Sequence, residues 1–143
     1  MTDPTTQNAL AYYAHIGAAL FPIPAGSKNP TGIVASFAHD HSALPDQWAA
    51  WSTEHNCNFG VVAGPSRLII ADIDVKKTTR DAAWSKWCDL CRSWGIEPFV
   101  SVQTPSGGWH AYFSVPAEID ATQLRQPPAA DCVDIRAGNG YVV

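Results

Sequence analysis

The sequence predicts an α+β fold in which a mostly antiparallel sheet carries flanking helices. Strand-like segments outnumber helical ones, and their order along the chain is α-β-α-β-β-α-β-β-β-β. Strands and helices do not alternate in the regular way that builds a parallel sheet through helical crossovers. The length of 143 residues suits one domain, and 46% apolar with 15% charged residues is typical of a globular chain with an ordinary core.

The first half of the chain reads as helix, strand, loop and helix. Apolar residues at helical spacing predict the first helix, which should end near Gly17. Pro22 and Pro24 are expected to place the following strand at an edge of the sheet or to end it early, because proline cannot donate to a central ladder. The predicted elements are a helix within residues 8–20, a strand over 18–24, a loop over 25–32 and a second short helix over 46–55.

The second half is richer in strands. Residues 58–64 and 67–75 are predicted to pair in a hairpin-like arrangement across the Gly-Pro-Ser-Arg turn between them. Gly95 suits the position just after the long helix, where a left-handed conformation often ends a helix. The predicted elements are strands over 58–64 and 67–75, a helix over 79–94, and strands over 99–104, 109–115, 132–138 and 140–143.

The charge distribution bears on nucleic-acid binding. A net charge of −4 argues against a protein that binds nucleic acid through a general basic surplus. The charge is uneven, however, because Lys76, Lys77 and Arg80 lie close together along the chain. Screening confines the field of a charge to about 10 Å, so a local basic patch can bind phosphates even on an acidic protein.

The sequence gives no indication of a membrane protein. No apolar run approaches the roughly 20 residues that a membrane-spanning helix needs. The first ten residues, MTDPTTQNAL, have no basic segment followed by a long apolar core, so no signal peptide is predicted. We therefore expect a cytoplasmic protein with no membrane partner.

Four cysteines raise the question of a zinc site. Cys88 and Cys91 form a C-x-x-C pair, which in other proteins is half of a zinc site or a redox pair. Cys57 and Cys132 are scattered and supply no second pair, and the C-x-x-C falls within a predicted helix. We expect both thiols to be buried, reduced and metal-free, and we expect no zinc cofactor.

The segment LIIADIDV places two carboxylates in the most β-prone part of the chain. Asp72 and Asp74 are two positions apart, so in a strand they point to the same face while Ile73 points to the core. Like charges on one face repel each other unless a cation lies between them. Such pairs hold Mg²⁺ or Mn²⁺ together with substrate phosphates and water. The alternative is a strand end with two solvated acids, since D-x-D is short enough to occur by chance.

Two later strands also carry polar side chains on an apolar background. His110 follows Gly107 and Gly108, which let a backbone or a ligand approach closely. Asp134 lies between branched apolar residues, with Arg136 two positions later on the same face. A lone strand histidine is more often structural. If the three strands are neighbours, however, three carboxylates and an imidazole meet on one sheet face, and this set suits two-metal phosphoryl transfer.

These motifs occur in a recognisable order. The stretches IADIDV, SGGWHAYF and VDIRAGNGYVV resemble the three motifs of the archaeo-eukaryotic primase superfamily, and in particular the bifunctional primase–polymerase (Prim-Pol) domains of plasmid and phage replication proteins. The earlier GAALFPIPAGSKNP and NFGVVAG also resemble that family, so the resemblance runs from about Ala9 to Val143. It implies one catalytic domain over residues 1–143, with a core like the RNA-recognition motif. Because family members usually continue past the last strand, we expect a chain truncated on its C-terminal side.

The resemblance also implies roles for individual residues. The implied ligands of two divalent ions, Mg²⁺ or Mn²⁺, are the carboxylates of Asp72, Asp74 and Asp134. His110 would contact the phosphates of the incoming nucleotide, and Gly108 is the small residue of the same motif. Lys28 and Arg136 are candidates for further triphosphate or template contacts.

The implied function is that of a metal-dependent nucleotidyltransferase, a DNA primase and DNA-directed polymerase in the replication of a phage, plasmid or related element. A 3′-hydroxyl would attack the α-phosphate of a nucleotide, and pyrophosphate would leave. The implied partners are a single-stranded DNA template and nucleoside triphosphates, with a helicase domain or protein as a further candidate.

Two other functions are compatible with parts of the sequence. A D-x-D glycosyltransferase would use a nucleotide sugar, but it needs no Asp134 and calls for a parallel sheet. A non-catalytic nucleic-acid-binding module on the same fold would show exposed aromatic side chains on its central strands. Tyr112 and Phe113 alternate faces, so at most one of them could stack on bases.

Overall fold

The computed structural model describes residues 4–143 of the chain. The observed order of helices and strands matches the predicted order, with an additional 3₁₀ helix, and the predicted α+β class with antiparallel pairing is confirmed. The helices are α1 (Pro4–His15), α2 (Pro45–Glu54) and α3 (Arg80–Ser93), and the 3₁₀ helix is Ala121–Gln123. The strands are β1 (Ala19–Pro24), β2 (Cys57–Val62), β3 (Leu68–Ile73), β4 (Val102–Gln103), β5 (Trp109–Ser114), β6 (Val133–Arg136) and β7 (Tyr141–Val142).

The described strands form two sheets in which every pairing is antiparallel. The first sheet has the order β1-β2-β7, and the second has the order β4-β5-β3-β6. Strand β1 lies at the end of the first sheet. Of the two outcomes predicted from Pro22 and Pro24, an edge position or an early end of the strand, the edge position is therefore the one observed.

The predicted hairpin between β2 and β3 is wrong. These strands belong to different sheets, because the second partner of β2 is β7. The pairing with β7 is extended by hydrogen bonds from the Ala63 N–H to the Gly140 carbonyl (2.8 Å) and from the Gly64 N–H to the Gly138 carbonyl (2.7 Å). Arg67, at a φ of 56°, turns the chain out of the first sheet and into β3. A long-range pairing has thus replaced the local one.

The four-stranded sheet packs on both faces. One face of β3 carries Ala71 and Ile73, which pack against Trp87 and Cys91 of α3. The other face carries Ile70, which packs in a cluster that also holds side chains of α1 and of the first sheet. Apolar side chains thus cover both faces of β3 near its start, and the polar residues of the site follow near its C-terminal end.

Helix α3 begins and ends close to its predicted limits. Thr79 is its N-cap, with the side-chain oxygen accepting from the Ala82 N–H at 3.1 Å, and Gly95 follows it at a φ of 72°. Trp87 is fully buried and donates its indole N–H to the Phe99 carbonyl at 2.9 Å. None of the described helices is both long and apolar enough to cross a lipid bilayer.

The predicted strand over residues 99–104 is shorter than expected, since only Val102 and Gln103 form β4. The Phe99 carbonyl instead accepts the indole N–H of Trp87, and the Phe99 ring packs edge-on against Phe113. The start of this segment, at Phe99, therefore packs onto α3 and is not part of the strand.

The cysteine prediction agrees with the structure as far as burial is concerned. Cys88 and Cys91 are buried on α3, and all four cysteines are free thiols. Burial also raises the pKa of the Cys91 thiol, with the neighbouring Cys88 as a smaller cause. Both thiols therefore behave as small apolar side chains of the helix–sheet interface.

Candidate active site

A row of three polar side chains crosses the four-stranded sheet. Asp72 lies near the end of β3, and its register partners are His110 on β5 and Asp134 on β6. Directly paired residues of antiparallel strands point to the same face of a sheet. The three motifs that are far apart in the sequence therefore meet side by side, as expected if their strands are neighbours.

Asp72 and His110 form the closest pair in this row. The distance from His110 Nε2 to Asp72 Oδ1 is 3.5 Å, and the two side chains are 7% and 30% exposed, respectively. Two residues further along the same strand, the Tyr112 ring lies 6.3 Å from the imidazole, centre to centre, at an interplanar angle of 26°. His110 is thus a nearly buried histidine whose edge faces a carboxylate.

Tyr112 is itself fixed by helix α1. Its hydroxyl lies 3.0 Å from the hydroxyl of Tyr13, and its ring stacks on Tyr12. Burial raises the pKa of Tyr112 far above its ordinary value, so the phenol stays protonated. The neighbour of the His110 ring is thus itself fixed by contacts with helix α1.

Asp74 lies just beyond the last residue of β3, a small correction to its predicted place within the strand. Its backbone N–H still donates to the Cys132 carbonyl at 2.8 Å, so the pairing with the β6 segment continues past the strand. Its Oδ1 accepts from the Lys76 N–H at 2.8 Å. The carboxylate therefore closes the turn that leads from β3 towards α3.

Asp134 and Arg136 lie on the same face of β6, as predicted. Arg136 Nη2 lies 3.2 Å from Asp134 Oδ2, and both side chains are partly exposed. The Arg136 Nε is buried without a hydrogen-bond partner among the described residues. Arg136 therefore has donor capacity left over beside Asp134.

Gly108 has a structural reason to be glycine. A Cβ atom at this position would collide with the Ile73 carbonyl oxygen of β3. The Gly108 carbonyl accepts from the Thr104 N–H at 2.9 Å, which closes the turn between β4 and β5. The close approach predicted for this glycine is thus made by the backbone next to Asp72, and Gly108 does not itself line the cavity described next.

A cavity of about 620 Å³ opens beside Asp72. Five of the predicted site residues line it, whereas Asp134 does not. These five are Lys28, Asp72, Asp74, His110 and Arg136. With Lys76, which also lines the cavity, two anionic side chains therefore share it with three cationic ones and a histidine.

Several residues of the cavity were not predicted. Ser27, Asn58 and Lys76 lie in segments that the sequence had already singled out, namely the GSK loop, the N-x-G element and the basic patch. Thr104 and Ser106 come from the turn before Gly107, and their hydroxyls lie 3.2 Å apart. No local pattern points to these two hydroxyls, because only the packing of the turn brings them to the cavity.

The side chains present suit Mg²⁺ or Mn²⁺ by their donor type, because hard divalent cations prefer carboxylate oxygens. Across residues 4–143, however, no group of three or more His, Cys, Asp or Glu side chains is gathered closely enough to hold an ion. In this arrangement Asp134 is paired with Arg136, and Asp74 accepts from the Lys76 N–H. Magnesium commonly uses one or two protein carboxylates with substrate phosphates and water, so the set fits a site that nucleotide completes.

One comparison with known proteins identifies a relationship. A family model described as "Bifunctional DNA primase/polymerase, N-terminal" matches residues 9–143. This range covers the whole of the predicted resemblance. No curated protein and no solved structure matches the chain.

Proposed function

The chain belongs to the family of bifunctional DNA primase/polymerase N-terminal domains, and we propose that it is a metal-dependent nucleotidyltransferase. It would synthesise primers on single-stranded DNA, extend them, or do both, during replication of a phage, plasmid or related element. The observation that carries this proposal is the row formed by Asp72, His110 and Asp134, which lie in register on three adjacent strands. The family membership supports a role in replication, and the row supports the chemistry.

The carboxylates have the first role in the proposed mechanism. Asp72 and Asp74 at the cavity, with Asp134 beside them, would hold the divalent ions. When bound, such ions supply positive charge that stabilises the attacking and leaving oxygens of a phosphoryl transfer. The protein contributes positioning, because β3 and β6 hold Asp72 and Asp134 next to each other through backbone hydrogen bonds.

The cationic side chains have the second role. Lys28 and Arg136 line the same cavity as the carboxylates and would bind the triphosphate of the incoming nucleotide. Arg136 now neutralises Asp134 at 3.2 Å. If Arg136 turns to a phosphate oxygen, the Asp134 carboxylate becomes free for a cation at the moment the nucleotide arrives.

His110 would orient the nucleotide. Its Nε2 faces Asp72, and its edge lines the cavity. An imidazole N–H in this position can donate to a phosphate oxygen, and the nearly parallel Tyr112 ring lies 6.3 Å away, centre to centre. We assign His110 a binding role and not that of the metal ligand.

The two alternative functions have less support. The antiparallel pairing of all described strands disagrees with the parallel sheet of a D-x-D glycosyltransferase. A non-catalytic base-stacking module needs exposed aromatic rings on its central strands. Tyr112 lies beneath α1 in contact with Tyr13, and Phe113 packs against Trp87 and Trp94 of the α3 region.

The function is tested with a primer-synthesis assay on single-stranded DNA, run with and without a pre-annealed primer. A primase makes new strands in both arms, and a polymerase without priming activity extends only the annealed primer. Incorporation in neither arm, with Mg²⁺ or Mn²⁺ present and a folded protein, would contradict the proposal.

A further inference from the structure

The cationic residues are concentrated in one short segment of this acidic protein. Residues 76–86 carry Lys76, Lys77, Arg80 and Lys86 against a single acid, Asp81. The rest of the chain has five Lys and Arg residues and 12 Asp and Glu residues. The segment is therefore a local region of positive potential on a molecule whose net charge is −4.

A second cavity, of about 460 Å³, lies against this segment. Its lining combines two lysines with polar and small residues and contains no large apolar side chain to anchor a protein partner. The lining residues are Lys77, Thr78, Ala82, Lys86, Asp131 and Cys132. This chemistry fits an anionic, well-hydrated ligand.

The second cavity adjoins the candidate active site through a single turn. Lys76 lines the first cavity, and Lys77 lines the second. Cys132 lines the second cavity, and its carbonyl accepts from the backbone N–H of Asp74, a residue of the first. A ligand that occupies both cavities would therefore pass directly over the turn that follows Asp74.

Arg80 is held in place beside this turn. Its Nε donates to the Gly107 carbonyl at 3.2 Å, and its guanidinium carbon lies 4.9 Å from the centre of a Trp109 ring. The first turn of α3 is thus tied to the loop before His110. The cationic segment is consequently connected by direct contacts to the candidate active site.

We propose that the second cavity, together with Lys77 and Lys86, binds the phosphodiester backbone of single-stranded DNA. This inference rests on the proposed function, for which it names the path of the template away from the site of chemistry. The ligand would be a nucleic-acid strand and not a free nucleotide, because the positive region continues from the first cavity into the second. A nucleoside triphosphate would be accommodated within the first cavity alone.

The carboxylate of Asp131 would compete with DNA phosphates for Lys86. This carboxylate lies 2.9 Å from Lys86 Nζ, and both side chains are well exposed. Exposed ion pairs of this kind are weak, so a DNA phosphate can replace the carboxylate. Removal of the Asp131 charge should therefore strengthen DNA binding. Asp131→Asn suits this test, because asparagine tolerates the φ of 53° at this position.

The experiment measures binding of a fluorescein-labelled oligothymidylate by fluorescence anisotropy over a range of salt concentrations. We expect Lys77→Gln/Lys86→Gln to weaken binding about tenfold and to lower the slope of log K against log salt by about 1.4, since each phosphate contact on a single strand contributes about 0.7. Asp131→Asn should tighten binding about two- to fivefold.

Matched variants control for the overall charge. Arg92→Gln/Arg125→Gln removes the same charge from exposed positions outside the segment, and Glu118→Gln removes an acid elsewhere. Equal effects of both double variants, or of Asp131→Asn and Glu118→Gln, would show that only net charge matters and would overturn the proposal. Lys77→Arg/Lys86→Arg keeps both charges and should bind as the unmodified protein does.

Binding is measured without catalysis, so this test is independent of the proposed activity. If the protein incorporates nucleotides, the Lys77/Lys86 double variant should raise the KM for template and leave the KM for nucleotide unchanged. If DNA binding depends on the two lysines but no nucleotide is incorporated, the binding site is supported and the enzyme assignment fails. If the protein incorporates nucleotides but its DNA binding does not depend on the two lysines, the enzyme assignment is supported and the proposed binding site fails.

Discussion

At the scale of single residues, Asp72 is placed by its two register partners. A carboxylate in an apolar strand needs polar neighbours, and Asp72 has His110 on one side and Asp134 on the other. Asp134 in turn is compensated by Arg136. Each carboxylate of the row thus has one nitrogen-bearing side chain close to it, His110 for Asp72 and Arg136 for Asp134.

His110→Ala tests whether the histidine serves the nucleotide or the core. A charged hydrogen bond to phosphate is worth about 1.5–3 kcal/mol, so its loss should weaken nucleotide binding by about 10- to 100-fold. The measurement is a nucleotide titration, with divalent-ion binding followed separately and expected to stay close to that of the unmodified protein. A variant that unfolds, or that binds nucleotide normally, would make His110 a structural residue.

Gly108→Ala tests the backbone contact beside Asp72. The added Cβ would collide with the Ile73 carbonyl and force β5 away from β3. We expect a loss of about 1–3 kcal/mol in the free energy of unfolding, as for overpacking elsewhere. Urea denaturation measures it, and Ser106→Ala in the same turn serves as the control. Full stability together with weak nucleotide binding would instead favour a direct role of Gly108 at the nucleotide.

At the scale of helices and strands, the local signals predicted which elements form but not which of them pair. The end of α3 was predicted from the glycine after it, and in the structure Thr79 caps its start; both signals act within one turn. The pairing of β2 depends instead on β7, about 80 residues later in the chain. Local turn residues at 64–67 therefore suggested a hairpin that the long-range partner displaced.

The contact between α1 and β5 predicts a pH-dependent stability. Burial raises the pKa of both Tyr13 and Tyr112 above the ordinary value of 10.0. The folded protein then holds these protons more tightly than the unfolded chain does. The stability that these two tyrosines contribute is therefore fully present below pH 10.0 and is lost as the pH rises from there through their raised pKa values.

Tyr13→Phe should make this decline shallower, because one of the two buried phenols no longer titrates. Near neutral pH the same variant should lose about 1 kcal/mol, since the Tyr112 hydroxyl loses its partner. Urea unfolding at several pH values measures both effects, and Tyr12→Phe is the control. An identical pH profile for Tyr13→Phe and the unmodified protein would contradict the assignment.

At the scale of the whole molecule, the candidate site arises where two sheets meet. Asp72, Asp74, His110, Arg136 and Lys28 could be named from the sequence, because each is a polar residue in a distinctive motif. Asn58, Thr104 and Ser106 complete the cavity only once the sheets are packed together. Asp134 pairs with Arg136 and does not line the cavity. The sequence could not predict this, because the two residues share a face of the strand whether Asp134 lines the cavity or not.

Divalent ions should stabilise the folded protein if the carboxylates bind them. Binding to the folded state at 100 times the dissociation constant adds about 2.7 kcal/mol, so MnCl₂ should raise the Tm relative to EDTA. Asp74→Asn keeps an oxygen for the Lys76 N–H and should reduce this rise. Asp89→Asn on the exposed side of α3 is the control. An undiminished rise in an Asp72→Asn/Asp74→Asn variant would place the ions elsewhere.

The most direct test of the central claim is nucleotide incorporation by an Asp72→Asn variant on a primed single-stranded template with Mg²⁺ or Mn²⁺. Asparagine has the shape of aspartate but lacks the charge at the centre of the row, and Asp89→Asn is the matched control. We expect incorporation to fall at least about 100-fold in Asp72→Asn, as when a group that stabilises transition-state charge is lost, and to stay unchanged in Asp89→Asn. Incorporation by Asp72→Asn at the rate of the unmodified protein would contradict the assignment of this row as the catalytic site.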